Sequence, residues 1–181
     1  MIDTVQAANK KADKVNTIIA IGASAGGLDP LKEFLANLPN QLAHATIIIA
    51  QHTGRASKHM LTELLSNEAT INIVEAKNGD PLAAHCIYVC PPSKDIIIED
   101  GHIILQPPVN PALPKPSIDI LFKSIAGIKD TKLVGIILSG KGTDGSEGIV
   151  ILKKAGGAIL VQDPATAKFD SMPQAAIEKN A

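Results

Sequence analysis

The sequence predicts an α/β fold: one domain in three layers, a doubly wound and mostly parallel sheet with helices on both faces, and one antiparallel hairpin. Three observations carry this. Short β-branched runs alternate with stretches of helical periodicity along the chain, the pattern of strand–helix–strand crossovers. The runs hold too few polar positions to keep one face wet, as buried parallel strands do. The length of 181 residues fits a single domain. With 45% hydrophobic but only 2% aromatic residues, the core must be aliphatic.

The elements follow in order. Residues 17–22 (TIIAIG) form a first strand buried on both faces. Asp29 offers an N-cap and Pro30 an N1 residue for a helix with Leu31, Phe34, Leu35 and Leu38 at helical spacing, stopped by Pro39. Residues 46–51 (TIIIAQ) are the second strand. Ser57 caps a helix whose apolar face is Met60, Leu61, Leu64 and Leu65. Residues 71–75 and 87–90 are two more strands, the latter ended by Pro91 and Pro92. Residues 95–106 break the pattern: DIIIE and HIILQ flank Asp100-Gly101, a dipeptide suited to a type I′ turn. The segment 107–116, with five prolines, reads as a stiff, extended surface loop packed over the domain. Ser117 caps a helix with Ile118, Leu121, Phe122 and Ile125 as its buried stripe. Residues 133–139 (LVGIILS) are a further strand. A turn with Gly140, Gly142, Gly145 and Gly148 opens a helix through Ile149, Leu152 and Ala155, ended by Gly156-Gly157. Residues 158–162 are the last strand. Residues 1–16 are polar, carry Lys10, Lys11 and Lys14, and lack the apolar stretch of a signal peptide. They read as a flexible tail or linker ahead of a domain spanning 17–181.

Composition excludes several function classes. Seventeen Lys and Arg against 18 Asp and Glu leave a net charge of −1, unlike the basic surface of a nucleic-acid module. Three Phe, one Tyr and no Trp provide few rings for stacking bases. No apolar run approaches the roughly 20 residues that span a bilayer. Cys86 and Cys90 stand four apart on one strand, about 13 Å between Cα atoms, whereas a disulfide needs less than about 7 Å. They read as reduced thiols of a cytoplasmic protein. There is no H-E-x-x-H or C-x-x-C, so no metal is expected, and the chemistry of Ser24, His52 and Asp144 needs no cofactor.

In open α/β sheets, function sits beyond the carboxyl ends of the strands. Past the first strand stand Gly22-Ala23-Ser24-Ala25-Gly26-Gly27, past the second Gln51-His52, and past 133–139 Gly140-Lys141-Gly142-Thr143-Asp144. A serine, a histidine and an aspartate thus share one sheet edge, the inventory of nucleophilic acyl transfer. Ser24 sits in G-x-S-x-G on a strand-to-helix turn. His52 takes its proton. Asp144 bonds the other imidazole nitrogen and, at the start of the following helix, is favoured by that helix's dipole. The Ala25 N–H is placed to donate to an oxyanion. The competing reading of the 22–27 turn is nucleotide binding. However, the dinucleotide fingerprint G-x-G-x-x-G has glycine where Ser24 stands, and it needs an acidic residue about 20 positions on. The order Ser, His, Asp also differs from the Ser, Asp, His of nucleophile-elbow hydrolases.

The segments IGASAGG (21–27), QH (51–52), PSIDILFKSIA (116–126), LSGKGTDGSEG (138–148) and AGGAILVQDPATAKFDSMPQAAI (155–177) resemble the catalytic domain of CheB-type protein-glutamate methylesterases of bacterial chemotaxis. The resemblance implies that Ser24, His52 and Asp144 form the triad. It implies a mostly parallel sheet of about seven strands. It also implies hydrolysis of glutamate γ-methyl esters on chemoreceptor segments, with glutamine deamidation by the same chemistry. This chain has Ala25 where chemotaxis members usually carry Thr, and Lys141 where many carry Met. With CPPSKDIII (90–98), these features are closer to forms fused to a CheR-type methyltransferase. The family normally continues past a helix like 172–180, so a truncated C-terminal end is expected.

Other residues are candidates for lining the site. Lys141 either attracts an acidic receptor segment or is solvated. Arg55, the only arginine, either binds a substrate carboxylate or is a solvated loop residue. Gly142 flanks the turn, and the Met172-Pro173 segment matches one that lines the family's cleft. His44, His59, His85 and His102 read as surface or loop residues. The alternative function is a catalytically silent docking domain on the same fold.

Overall fold

The computed structural model describes residues 14–39, 42, 44–52, 60–67, 71–108, 110 and 112–179. Six parallel strands form the main sheet: β1 (Thr17–Ala23), β2 (Ala45–Gln51), β3 (Asn72–Glu75), β4 (Cys86–Val89), β7 (Lys132–Ile137) and β8 (Ala158–Val161). Their spatial order is β3-β4-β2-β1-β7-β8. β5 (Asp95–Glu99) and β6 (His102–Gln106) pair antiparallel as a separate two-stranded sheet. The expected seven-stranded sheet is therefore six strands plus an independent pair. Asp100 and Gly101 take φ of +48° and +75° at the hairpin turn, as a type I′ turn requires.

The sheet is apolar on both faces. Ile21, Ala23, Ile47, Ile49, Ile87 and Val89 pack on one side with Leu31 and Leu35 of α1 (Leu28–Ala36) and Leu65 of α2 (Met60–Ser66). Ile18, Ala20, Ile48, Ala50 and Tyr88 pack on the other. That side is covered by α3 (Ile118–Ile125), α4 (Ser146–Lys154), α5 (Ser171–Glu178) and the hairpin. Phe122 of α3 is fully buried there. Both thiols are buried and unpaired.

Several local expectations shift. α1 starts at Leu28 with Gly27 as its N-cap, so Asp29 stands in its first turn rather than at the cap. Ser57 lies outside the described residues. In α2 only Leu65 is buried, while Met60 and Leu64 are exposed; a two-turn helix beside β3 at the sheet border has little apolar surface to meet. Of the expected tail, residues 1–13 lie outside the described residues. Val15 packs against the core, and Asn16 bonds His44 and Lys132 through its backbone, so the domain takes in residues just ahead of Thr17.

Register positions the site. Ala23 stands opposite Gln51, and Gly22 opposite Ile137. The carboxyl ends of β2, β1 and β7 therefore finish level. The chain winds outward from β1 in both directions, so β1 is the point where strand order reverses and a crevice opens. α3 closes over that end. A Cβ on Gly22 would overlap Ile118, and one on Gly148 would stand 2.8 Å from Phe122 Cβ and 2.9 Å from the Asp119 carbonyl oxygen. α3 thus fits between β1 and α4 only because both positions lack a side chain. Gly148→Ala is expected to lower unfolding free energy by about 1–3 kcal/mol through overpacking, read as a lower midpoint in urea at unchanged slope.

Candidate active site

Ser24 is the first residue past β1. Its N–H donates to the Ser139 carbonyl (3.0 Å), and its carbonyl accepts the Gly27 N–H (2.9 Å). This is a tight turn into α1. Gly26 within it has φ +72°, and a Cβ there would press on Lys168, Ser139 and Phe169. The turn therefore requires glycine both for conformation and for space. His52 follows β2, its N–H bonded to the Ala23 carbonyl (2.8 Å). Its Nδ1 lies 3.0 Å from Ser24 Oγ, and its Nε2 lies 2.9 Å from Asp144 Oδ2. An ionised carboxylate only accepts, so Nε2 carries the ring proton and Nδ1 presents its lone pair to the serine hydroxyl. That tautomer is the one a general base needs.

Asp144 lies in the turn between β7 and α4. The sequence placed its carboxylate at the start of α4. Instead Gly145 is the N-cap of α4, at φ +95°, and the carboxylate is aimed at α3. Its Oδ2 accepts the Ile118 N–H (2.8 Å), and its Oδ1 accepts the Asp119 N–H (3.0 Å) and the Ser117 hydroxyl (3.4 Å). The first N–H groups of a helix have no partner within it and sit at the positive end of its dipole. Burial alone would raise the Asp144 pKa. The His52 hydrogen bond and the two α3 N–H groups outweigh burial and hold it below the ordinary value. Asp119 shifts the other way. Burial pushes it up against the Gly148 N–H bond, and the Asp144 charge adds to the rise.

The remaining candidates separate. Ala25 is half-buried in the turn, and its N–H has no hydrogen-bond partner among the described residues. The Gly142 N–H donates to Ser171 Oγ (3.1 Å). Lys141 is exposed, its ammonium 4.5 Å from the centroid of the Phe169 ring, a cation–π distance. Lys141 and Gly142 line a cleft of about 320 Å³ with His52, Asp144, Asp119 and Leu113. Met172 does not line it: the residue is 1% exposed, and its Sδ fills the space beside Gly140 where a Cβ would be. It supports the turn from below. Arg55 lies outside the described residues.

Sequence reasoning missed two supports. Ser139, fully buried, has the Ala25 and Phe169 carbonyls within reach of its single hydroxyl proton (3.1 and 3.2 Å) and accepts the Phe169 N–H (3.0 Å). It fastens the Ser24 turn to the segment before α5. The Ile118 and Asp119 N–H groups were also missed as holders of Asp144. The cap signal at Ser117 was visible, but nothing in spacing linked it to a residue 27 positions on. Among the described residues no cluster of three or more His, Cys, Asp or Glu is placed to hold a metal, and no helix is long and apolar enough to cross a membrane.

The sequence model of the CheB methylesterase family matches residues 19–181. A relative from Leptospira interrogans is 37% identical over 163 residues, covering 88% of this chain and 83% of its own. A relative from Koribacter versatilis, named protein-glutamate methylesterase/protein-glutamine glutaminase 2, is 36% identical over 168 residues; these cover 90% of this chain but only 46% of that protein. The crystal structure of the Thermotoga maritima CheB methylesterase catalytic domain superposes with a TM-score of 0.83 at 26% identity, covering 91% of this chain and 89% of that one.

The depressed Asp144 pKa has a consequence for stability. A carboxyl whose folded pKa lies below its unfolded value stabilises the fold above the unfolded value, and that contribution is lost as pH falls through the folded one. The window therefore opens near the ordinary value of 3.8 and extends below it. Asp119, with its raised pKa, has the opposite sign. Asp144→Asn is expected to remove the Asp144 contribution, so denaturant stability should fall less steeply below pH 4 than in the wild type.

Proposed function

The chain belongs to the CheB methylesterase family, and from that membership we propose that it hydrolyses glutamate γ-methyl esters on proteins, releasing glutamate and methanol. The observation that carries the proposal is the single imidazole bridging Ser24 Oγ and the Asp144 carboxylate at hydrogen-bond distance on both sides.

The steps follow from the geometry. Ser24 Oγ attacks the ester carbonyl while His52 Nδ1 takes its proton. The tetrahedral oxyanion accepts the Ala25 N–H. The C–OCH₃ bond breaks, His52 returns the proton to the leaving oxygen, and methanol departs. Water then adds to the acyl-enzyme with His52 again as base, and Ser24 leaves as the free hydroxyl. Asp144 stays ionised throughout and stabilises the imidazolium. With a glutamine side chain, ammonia leaves in the first half and the product is the same glutamate. No cofactor takes part.

The substrate is a methylated cytoplasmic segment of a chemoreceptor or similar signalling protein, and the site of action is the cytoplasm, where Cys86 and Cys90 stay reduced. The catalytic domain runs from about residue 17 onward. Ala25, Lys141 and the wording at 90–98 support a parent chain that also carries a CheR-type methyltransferase domain. An assembled triad with a free oxyanion donor favours catalysis over silent docking.

Methanol release from methylated receptor fragments tests the reading. Ser24→Ala is expected to lower kcat on the order of 10⁶-fold, with its melting temperature close to that of the wild type. A folded wild-type protein that releases no methanol would exclude it.

A further inference from the structure

Gln51 closes β2, and strand alternation puts it on the face of Ile47 and Ile49. An aliphatic residue would complete that pattern. Instead a buried amide, 8% exposed, lies beneath the nucleophile turn. Its Nε2 donates to the Ser24 carbonyl (2.7 Å) and to the His52 carbonyl (3.2 Å). Its Oε1 is buried and has no partner among the described residues. An unmet buried acceptor is costly, so packing alone does not account for this side chain. What the amide does is tie the backbones of two triad residues, on adjacent strands, to one point.

The Ser24 carbonyl shares a peptide unit with the Ala25 N–H. In a trans peptide the two point in opposite directions. Drawing the Ser24 carbonyl onto Gln51 therefore turns the Ala25 N–H the other way, and that N–H has no partner among the described residues. We propose that Gln51 is a positioning residue for the hydrolysis. It fixes the Ser24–Ala25 peptide so that the Ala25 N–H meets the oxyanion, and it fixes the His52 backbone so that Nδ1 meets Ser24 Oγ. It touches no reacting atom. The inference rests on the triad reading above.

Gln51→Met tests it, because methionine keeps the length while removing both donors and the unmet acceptor. Orientation of an oxyanion donor acts in the transition state, so kcat for ester hydrolysis should fall about 10–100-fold, less than the 10²–10³ of deleting such a donor outright. KM should stay within about threefold. Phosphonylation of Ser24 by a small fluorophosphonate, which needs no receptor, should slow by a similar factor. The melting temperature should move by no more than a few degrees. Unchanged kcat, a rise in KM alone, or activity that merely follows the folded fraction would overturn the proposal. So would failure of both Gln51→Met and Gln51→Asn to fold, since the role would then be structural. A wild type that neither hydrolyses the ester nor labels at Ser24 would sink the triad reading itself. That outcome is distinct from an active wild type matched by an equally active Gln51→Met.

Discussion

A carboxylate removed from water must find donors or give up its charge. Asp144 finds them on α3 and His52, and much of the fold can be understood as the means of bringing α3 to it. The Ile118 and Asp119 N–H groups would be unpaired at any helix start; here they hold the anion that orients His52. For this α3 must begin directly over the ends of β1 and β7. Ser117 caps it, and the buried Asp95 of β5 accepts the Ser117 N–H at 2.7 Å. The hairpin thus sets the position at which α3 starts. Gly22 and Gly148 let the helix approach. On the proposed mechanism, a substitution far from the serine that displaces α3 is expected to act through Asp144.

The second constraint is register. Six parallel strands in one sheet end at a common edge only if their pairings are not staggered, and the pairs Ala23–Gln51 and Gly22–Ile137 meet that condition around β1. Below the edge the sheet is mainly aliphatic on both faces. Above it, Ser139, Gln51 and Gly140 tie the three strand-end segments to one another and to the segment before α5. A site built this way inherits the rigidity of the sheet.

What was legible in the sequence follows from the same physics. Buried parallel strands leave uniform aliphatic runs, and the residues just past those runs are the ones free to be polar, so Ser24, His52 and Asp144 could be singled out. Local signals also carried through: the Ser117 cap and the Asp100-Gly101 turn depend on neighbouring residues alone. Interactions between distant segments were not legible. Asp144 stands just before one helix's start in sequence but meets another's in space, 25 and 26 positions away. Met172 matched a cleft-lining segment, yet its side chain turned into the core. The apolar spacing of α2 suggested a wider buried face than the sheet border provides. In the sequence Gln51 stands out only as the neighbour of His52, because a polar residue at a strand end looks the same whether it faces solvent or holds two carbonyls.

The orientation of the imidazole follows from strand order. In the arrangement found in many serine hydrolases, the far nitrogen Nε2 faces the serine and Nδ1 faces the aspartate. Here the roles are exchanged. Ser24 follows β1, and His52 follows β2, its hydrogen-bonded neighbour, roughly 4.8 Å away. Asp144 follows β7, on the other side of β1 and roughly twice that distance from β2. The nitrogen near the histidine backbone therefore serves the adjacent strand, while the nitrogen at the far end of the ring reaches across it to the next. With the serine on the central strand and the histidine and aspartate on its two neighbours, the ring lies over Ser24, and Nδ1 is the atom within reach of Oγ. The tautomer is then set from the far side, by a carboxylate kept ionised at the start of α3.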